Sequence, residues 1–266
     1  MLLAQISDTH LLSLKDNSAL ALKRADNLER CVNTINQLPA PPAAIIHTGD
    51  MVNFAPEGSP QPNGYELAFE ILSQLKAPFY PTIGNRDARP DLIARFLAPD
   101  PLSIEAPFCQ YRIKLPKADL VCVDTKSATR NFGASCPERL AQLEQLLQQD
   151  VHKPVFVFMH HPPARVEALK NPLQFESIEQ ASALTGLLDR YDNIVRILCG
   201  HTHRSDMLKM GRHNASTHPS LATDVRLDQY PDRLTEEPVF QLHRLQDNLD
   251  VVSASQFAIL SETHID

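Results

Sequence analysis

The chain has 266 residues, enough for one large domain with a sizeable core, and 43 % of them are apolar, as in a globular protein. Trp is absent and the formal net charge is −7, which speaks against an aromatic-lined, strongly basic nucleic-acid surface. Small anions stay admissible, because a bound metal ion reverses the local field.

In chain order, "LLAQIS" predicts a buried strand. Residues Ser18 to Leu38 predict a helix with Leu28, Val32 and Ile35 on one face, caps among Asp16, Asn17 and Ser18, and a stop at "LPAPP". "AAIIHT" predicts a second strand, Gly64 to Lys76 a helix, and "PFYPTI" a third strand. "FCQYRIKL" and "DLVCVDT" predict a hairpin around "PKA". A helix over Pro137 to Gln149, the strand "PVFVFM", a helix over Ile178 to Arg190 and the strand "IVRILC" follow. This alternation predicts an α/β sandwich. Beyond Asp206 the periodicity weakens, and "VFQLHRL" and "LDVVSAS" predict late strands.

Cys31, Cys109, Cys122, Cys136 and Cys199 have no CxxC spacing and are expected as free thiols in a reducing compartment. No apolar run approaches the ~20 residues of a membrane helix. "MLLAQISD" has no basic start and meets an acid at Asp8, so a soluble cytoplasmic protein with no signal peptide and no membrane partner is expected.

The strand ends carry the chemistry. "ISDTH", "IHTGD", "TIGNRD", "VFMHHPP" and "LCGHTHR" each follow a predicted strand, and α/β sheets bind ligands at the carboxyl ends of strands. Together they supply Asp8, His10, Asp50, Asn85, His160, His201 and His203. Imidazole nitrogens with carboxylate or amide oxygens suit Zn, Mn or Fe, and seven such groups are enough for two ions with positions left open. Two ions roughly 3.5–4 Å apart clamp a phosphate oxygen and lower the pKa of a shared water. A lone D-x-H or GHTH means little, but this set in this order leaves a purely structural reading few options.

The order "SDTH", "TGD", "GNRD", "MHHPP", "GHTH" resembles the calcineurin-like metallophosphoesterases, whose pattern is D-x-H, G-D, G-N-H-[DE], H and G-H-x-H. The resemblance covers about residues 1–205, and "MLLAQISDTHL" and "FMHHPP" look most like the bacterial class III phosphodiesterases, a group of glycerophosphodiester and cyclic-nucleotide phosphodiesterases. It implies an α/β four-layer sandwich of two mixed β-sheets flanked by helices. The catalytic core would span 1–205, with 206–266 completing a sheet or forming a cap. It further implies that Asp8, His10, Asp50 and His203 hold one metal and Asp50, Asn85, His160 and His201 a second, with Asp50 bridging. A hydroxide held between two Mn, Fe or Zn ions would attack a small phosphodiester. The expected partner is that small phosphate ester, with no nucleic-acid polymer, and a homo-oligomer is compatible.

One position departs from the pattern. Arg86 stands where the family's histidine usually aids the leaving group or the transition state. Arginine stays protonated, so it can clamp phosphoryl oxygens but cannot shuttle a proton. "GNRD" and "GHTHR" also fit the UDP-2,3-diacylglucosamine pyrophosphohydrolases, although "MHHPP" does not resemble their loop. A binding or scaffold member of the fold is the other alternative, disfavoured because all seven ligands are present.

His161, next to His160, is weighed equally as a catalytic residue and as a shaper of the turn before Pro162 and Pro163. His47 is a strand-end packing residue or lies near the metals. Arg204 is expected in solvent and Cys199 buried in its strand. His152, His213, His218, His243 and His264 have no motif context. The loop 162–178 is a substrate mouth or an ordinary connection, and 224–237 is expected as a solvated loop.

Overall fold

The structure, a computed structural model, describes residues 1–13, 18–53, 64–97 and 108–259. The expected caps Asp16 and Asn17, and His264, lie outside them.

The first sheet holds β1 (Leu2–Ile6), β2 (Ala44–His47), β3 (Phe79–Pro81), β10 (Val239–Leu245) and β11 (Val251–Phe257) in the order β11-β10-β1-β2-β3. The second holds β4 (Tyr111–Ile113), β5 (Asp119–Val123), β6 (Val155–Met159), β7 (Ile194–Cys199), β8 (Met207–Met210) and β9 (His213–Thr217) in the order β4-β5-β6-β7-β9-β8. Both are mixed. β1, β2 and β3 run parallel with β10 antiparallel to β1, and β5, β6, β7 and β9 run parallel with antiparallel edges.

The period of two along a strand builds the layers. On β6, Phe156 and Phe158 join a core with residues of the first sheet, while Val155, Val157 and Met159 face helices α4 (Pro137–Gln148) and α5 (Ile178–Leu188). Leu120 and Cys122 of β5 likewise point inward and Val121 and Val123 outward. Helices α1 (Ala19–Asn36) and α2 (Tyr65–Leu72) add Leu28, Val32, Ile35, Ala68 and Ile71 to the core of the first sheet. Ser18 caps α1 by accepting from Ala21 N–H at 3.1 Å. Two further helices are single turns: α3 (Arg89–Leu92), continued by a π turn, and α6 (Asp232–Thr235).

Several boundaries are corrected. α2 ends at Leu72 and β3 at Pro81, both short of the extents expected from apolar patterning. The β8–β9 hairpin has no periodic signal in "MLKMGRHNAST"; Gly211 (φ 57°) makes its turn, and pairing to β7 stabilises it. Segment 224–237 is exposed to half-buried, as expected, but not all of it is loop. It carries α6, and Asp224 pairs with Arg24 of α1 at 2.6 Å, a partner 200 positions away.

Candidate metal centre

The carboxyl ends of β1 and β2 are tied by Asp8 N–H to Gly49 O and His10 N–H to Asp50 O, both 3.0 Å. Those of β6 and β7 are tied by Gly200 N–H to His160 O at 3.0 Å. The two pairs meet where His201 N–H donates to Asp8 Oδ2 at 3.1 Å. Glycine makes the approach possible: a Cβ at Gly200 would lie 2.3 Å from Ser7 Oγ, and one at Gly84 2.2 Å from Asp50 N.

The backbone there is strained. Among the described residues, six that are not glycine have positive φ, and five of them are Asp8 (53°), His10 (46°), Asp50 (53°), His201 (69°) and His203 (55°). A left-handed conformation costs a non-glycine residue about 1–3 kcal/mol and persists where the surroundings impose it, chiefly at functional sites.

Two clusters of possible metal ligands result. Ligand atoms of Asp8, His10, Asp50 and His203 lie within 4.8 Å of one another, and those of His160, His161 and His201 do likewise. Asp50 faces both: Oδ2 lies 4.0 Å from His10 Nε2, and Oδ1 lies 3.5 Å from His160 Nε2. Asn85 Oδ1 is 3.1 Å from His160 Nε2, so all seven expected ligands converge. His161 is the addition, its ring centroid 4.3 Å from that of His201.

Neighbouring groups set which nitrogen each ring presents. Thr48 O accepts from His160 Nδ1 (2.7 Å) and Val225 O from His203 Nδ1 (3.0 Å), leaving each Nε2 lone pair to the cluster. Gln174 Oε1 accepts from His201 Nε2 at 2.9 Å, leaving Nδ1. Thr125 Oγ1 accepts from the His161 backbone N–H at 3.1 Å, so its own hydrogen is available for His161 Nδ1, 2.9 Å away. Thr125 and Gln174 carried no sequence signal, being polar residues in loops without motif spacing.

The donor set fits metal ions. Asp8 Oδ1, which faces His203 Nε2 at 3.3 Å across the first cluster, is buried and has no hydrogen-bond partner. Orphaned buried polar atoms are costly unless a ligand satisfies them. Without metal, burial drives His10 down to about 4 and His201 down to about 3. Burial opposes charging His160 as well, but the Asp50 and Asp8 carboxylates outweigh it and raise that ring to about 9. Asp50 is held well below the usual carboxylate range: burial opposes its ionisation, and His160 and His10 overcome that.

Around this centre, His47 is buried, with Nε2 3.1 Å from Thr9 Oγ1 and Nδ1 accepting from Gly49 N–H at 3.1 Å. Asp87, the last residue of "GNRD", ties the β2 and β3 loops by accepting from Met51, Val52 and Gly84 N–H. The Arg86 backbone N–H donates to Asp50 Oδ1 at 2.7 Å, and its side chain is half-buried. Arg204 pairs with Asp206 at 2.7 Å.

The calcineurin-like phosphoesterase family profile matches residues 1–205. A glycerophosphodiester phosphodiesterase of Enterobacter lignolyticus is 30 % identical, covering 85 % of this chain and 79 % of its own. A 3',5'-cyclic adenosine monophosphate phosphodiesterase of Vibrio vulnificus is 22 % identical, covering 76 % and 69 %. A dimetal phosphatase from Danio rerio has the same fold, with a TM-score of 0.68 at 14 % identity over 97 % of this chain and 96 % of that one. The chain belongs to the calcineurin-like phosphoesterase family.

Proposed function

We propose that this protein is a dinuclear metallohydrolase acting on a small phosphodiester of the glycerophosphodiester or cyclic-nucleotide kind. One observation carries the two-metal reading: the oxygens of Asp50 face different clusters, 4.0 Å from His10 and 3.5 Å from His160. Asp8, His10 and His203 complete one site, and Asn85, His160 and His201 the other. The names of the relatives support the substrate class.

When bound, two such ions supply Lewis-acid polarisation of the phosphoryl oxygens and an acidified water. The chain's own groups do the rest. Thr48, Val225 and Gln174 fix the ring orientations before substrate arrives, which avoids reorganisation during the reaction. Arg86 follows Asn85 in the chain and carries a guanidinium of the kind that holds a nonbridging oxygen as charge builds. His161 is neutral: burial and then the neighbouring His201 and His160 push it well below its ordinary value. With Thr125 donating to Nδ1, His161 presents Nε2–H as a hydrogen-bond donor to a substrate oxygen. A neutral imidazole holds that proton too tightly to surrender it, so His161 acts as a hydrogen-bond donor and not as a general acid.

The test is a turnover screen after loading with Mn, Fe or Zn. Substrates are bis(p-nitrophenyl) phosphate, glycerophosphodiesters, cyclic AMP, p-nitrophenyl phosphate and a UDP-sugar diphosphate. Faster turnover of diesters than of the monoester is expected. Preference for the monoester would overturn the substrate class, and preference for the diphosphate would favour the pyrophosphohydrolase reading.

A further inference from the structure

Gln5 is a fully buried amide on β1, on the same face of the strand as the core residue Leu3. An unpartnered amide there would be costly, yet both of its hydrogens and its oxygen are used. Gln5 Nε2 donates to Thr48 Oγ1 at 2.9 Å, just past the end of β2, and to the Cys199 carbonyl at 3.0 Å, at the end of β7. Its Oε1 lies 2.9 Å from Nε2 of His243, a buried histidine of β10. Thr48 Oγ1 donates to Ser7 Oγ at 2.7 Å, and Ser7 Oγ donates to Asp8 Oδ2 at 2.5 Å. We propose that Gln5 and His243 are positioning residues for Asp8: through Thr48 and Ser7 they hold its carboxylate ready for the first metal. This role rests on the two-metal reading above and extends it to two side chains outside the five motif loops.

One carbonyl fixes the direction of every bond in the chain. A carbonyl oxygen only accepts, so the atom of Gln5 that faces Cys199 O is the nitrogen, and the amide oxygen faces His243. His243 therefore donates from Nε2. Burial keeps this ring neutral, pushing it down to about 3, so its Nδ1 accepts from Oγ of Ser253, its cross-strand partner on β11, at 2.7 Å. With the amide held this way round, Thr48 Oγ1 accepts from Gln5 and has one hydrogen to pass on. Ser7 Oγ receives it and passes its own hydrogen to Asp8.

The consequence is a choice between the two oxygens of Asp8. Oδ2 is occupied by the Ser7 hydroxyl and by the His201 backbone N–H at 3.1 Å. Oδ1 is left to the cluster, 3.3 Å from His203 Nε2 and 3.8 Å from His10 Nε2. A hydroxyl bonded to a carboxylate at so short a distance is charge-assisted and directional. Gln5 also joins the two sheets: its second hydrogen goes to Cys199, the last residue of β7 before the loop that carries His201 and His203. Groups that orient a metal ligand without touching the metal typically contribute 10–100-fold to metal affinity or activity.

The test is calorimetric titration of the metal-free protein with Mn(II), with melting temperatures measured alongside. His203→Ala marks which of the two binding steps belongs to the first cluster. Gln5→Met and Ser7→Ala are each expected to weaken that step on the order of tenfold to a hundredfold and to change the other step by less. The double variant should bind no more weakly than Ser7→Ala alone, because both substitutions cut the same chain. His243→Leu should weaken the same step, and His243→Gln, which keeps a donor for Gln5 Oε1, should retain it. Unchanged affinity in Gln5→Met would overturn the proposal. So would additive losses in the double variant or equal weakening of both steps, since Gln5 would then only brace the two sheets. Should Gln5→Met fail to fold, the two His243 variants decide, and equal affinity in them overturns the role. Wild-type turnover of bis(p-nitrophenyl) phosphate reports separately on the parent reading. If the wild type takes up two Mn(II) and turns over no ester, yet Gln5→Met loses the first-cluster step, the hydrolase function falls and the positioning role stands. If the wild type binds no metal, both fall.

Discussion

The Nε2 atoms of His10 and His203 face each other at 3.0 Å, although 193 positions separate the two residues. Asp8 Oδ1 lies 3.3 Å from the same His203 nitrogen. Two imidazole nitrogens and a carboxylate oxygen converging on one buried point are matched by a cation. His203→Ala is therefore expected to lower metal content from two per chain toward one and to cut turnover by at least about 10²-fold, as losses of even outer partners reach that scale. Elemental analysis alongside kinetics checks both.

Asp50→Asn removes the carboxylate that faces both clusters but keeps the side chain's shape and an oxygen able to accept from Arg86 N–H. The fold should survive, seen as an unchanged far-UV spectrum, while metal-dependent turnover is lost. Full activity with two metals bound would show that Asp50 does not bridge.

Gly84→Ala should act through space alone. The new Cβ would lie 2.2 Å from both Asp50 N and Asp50 Oδ1, contacts that no side chain tolerates. The β2 and β3 loops must separate, so a melting temperature several degrees lower and loss of turnover are expected, a steric strain of roughly 1–3 kcal/mol. Gly186→Ala, inside α5 where a Cβ meets nothing within 4 Å, is the control: turnover should be unchanged and the melting temperature equal or slightly higher, because Gly costs a helix interior about 0.5–1 kcal/mol relative to Ala.

Metal binding should depend on pH through His160. In the metal-free protein burial opposes its charge, but Asp50 and Asp8 prevail and raise it from 6.5 to about 9. The imidazolium–carboxylate contribution to the metal-free fold is therefore fully present below 6.5 and is lost as pH rises through about 9. A metal must displace that proton, so apparent affinity should rise with pH and level off above about 9. Titration calorimetry in buffers of different ionisation enthalpy would read proton release near neutral pH. Absence of release would show that His160 is already neutral.

Arg86 separates two chemistries. As a fixed clamp, its replacement by Ala should lower turnover on every substrate, on the order of 10²–10³. As a mere occupant of a histidine's place, its replacement by His should raise activity, most for poor leaving groups. A series of aryl phosphodiesters distinguishes them: a shallower dependence of rate on leaving-group pKa in Arg86→His marks restored proton donation, and an unchanged slope with a lower rate marks the clamp.

The sequence by itself determined the central strands and the ligand types. β1, β2, β6 and β7 are buried along nearly their whole length, so they read as short apolar runs that stop at polar loops. The ligands follow within a few residues of each stop, and both signals are local. β8 and β9 were not legible in this way, because "MLKMGRHNAST" mixes charge and apolar residues and forms strands by pairing with β7. Nor were Thr125 and Gln174, which reach the centre only through the packing of β5 and the loop 162–178. The resemblance already implied which ligands share a metal; tertiary structure alone decided that His161 joins the second cluster and which ring nitrogen each histidine presents. Those properties depend on hydrogen bonds spanning 112 residues from His160 to Thr48, set by how the two sheets pack, and 27 from His201 to Gln174, set by how the loop 162–178 folds onto the end of β7, not by the local order of residues.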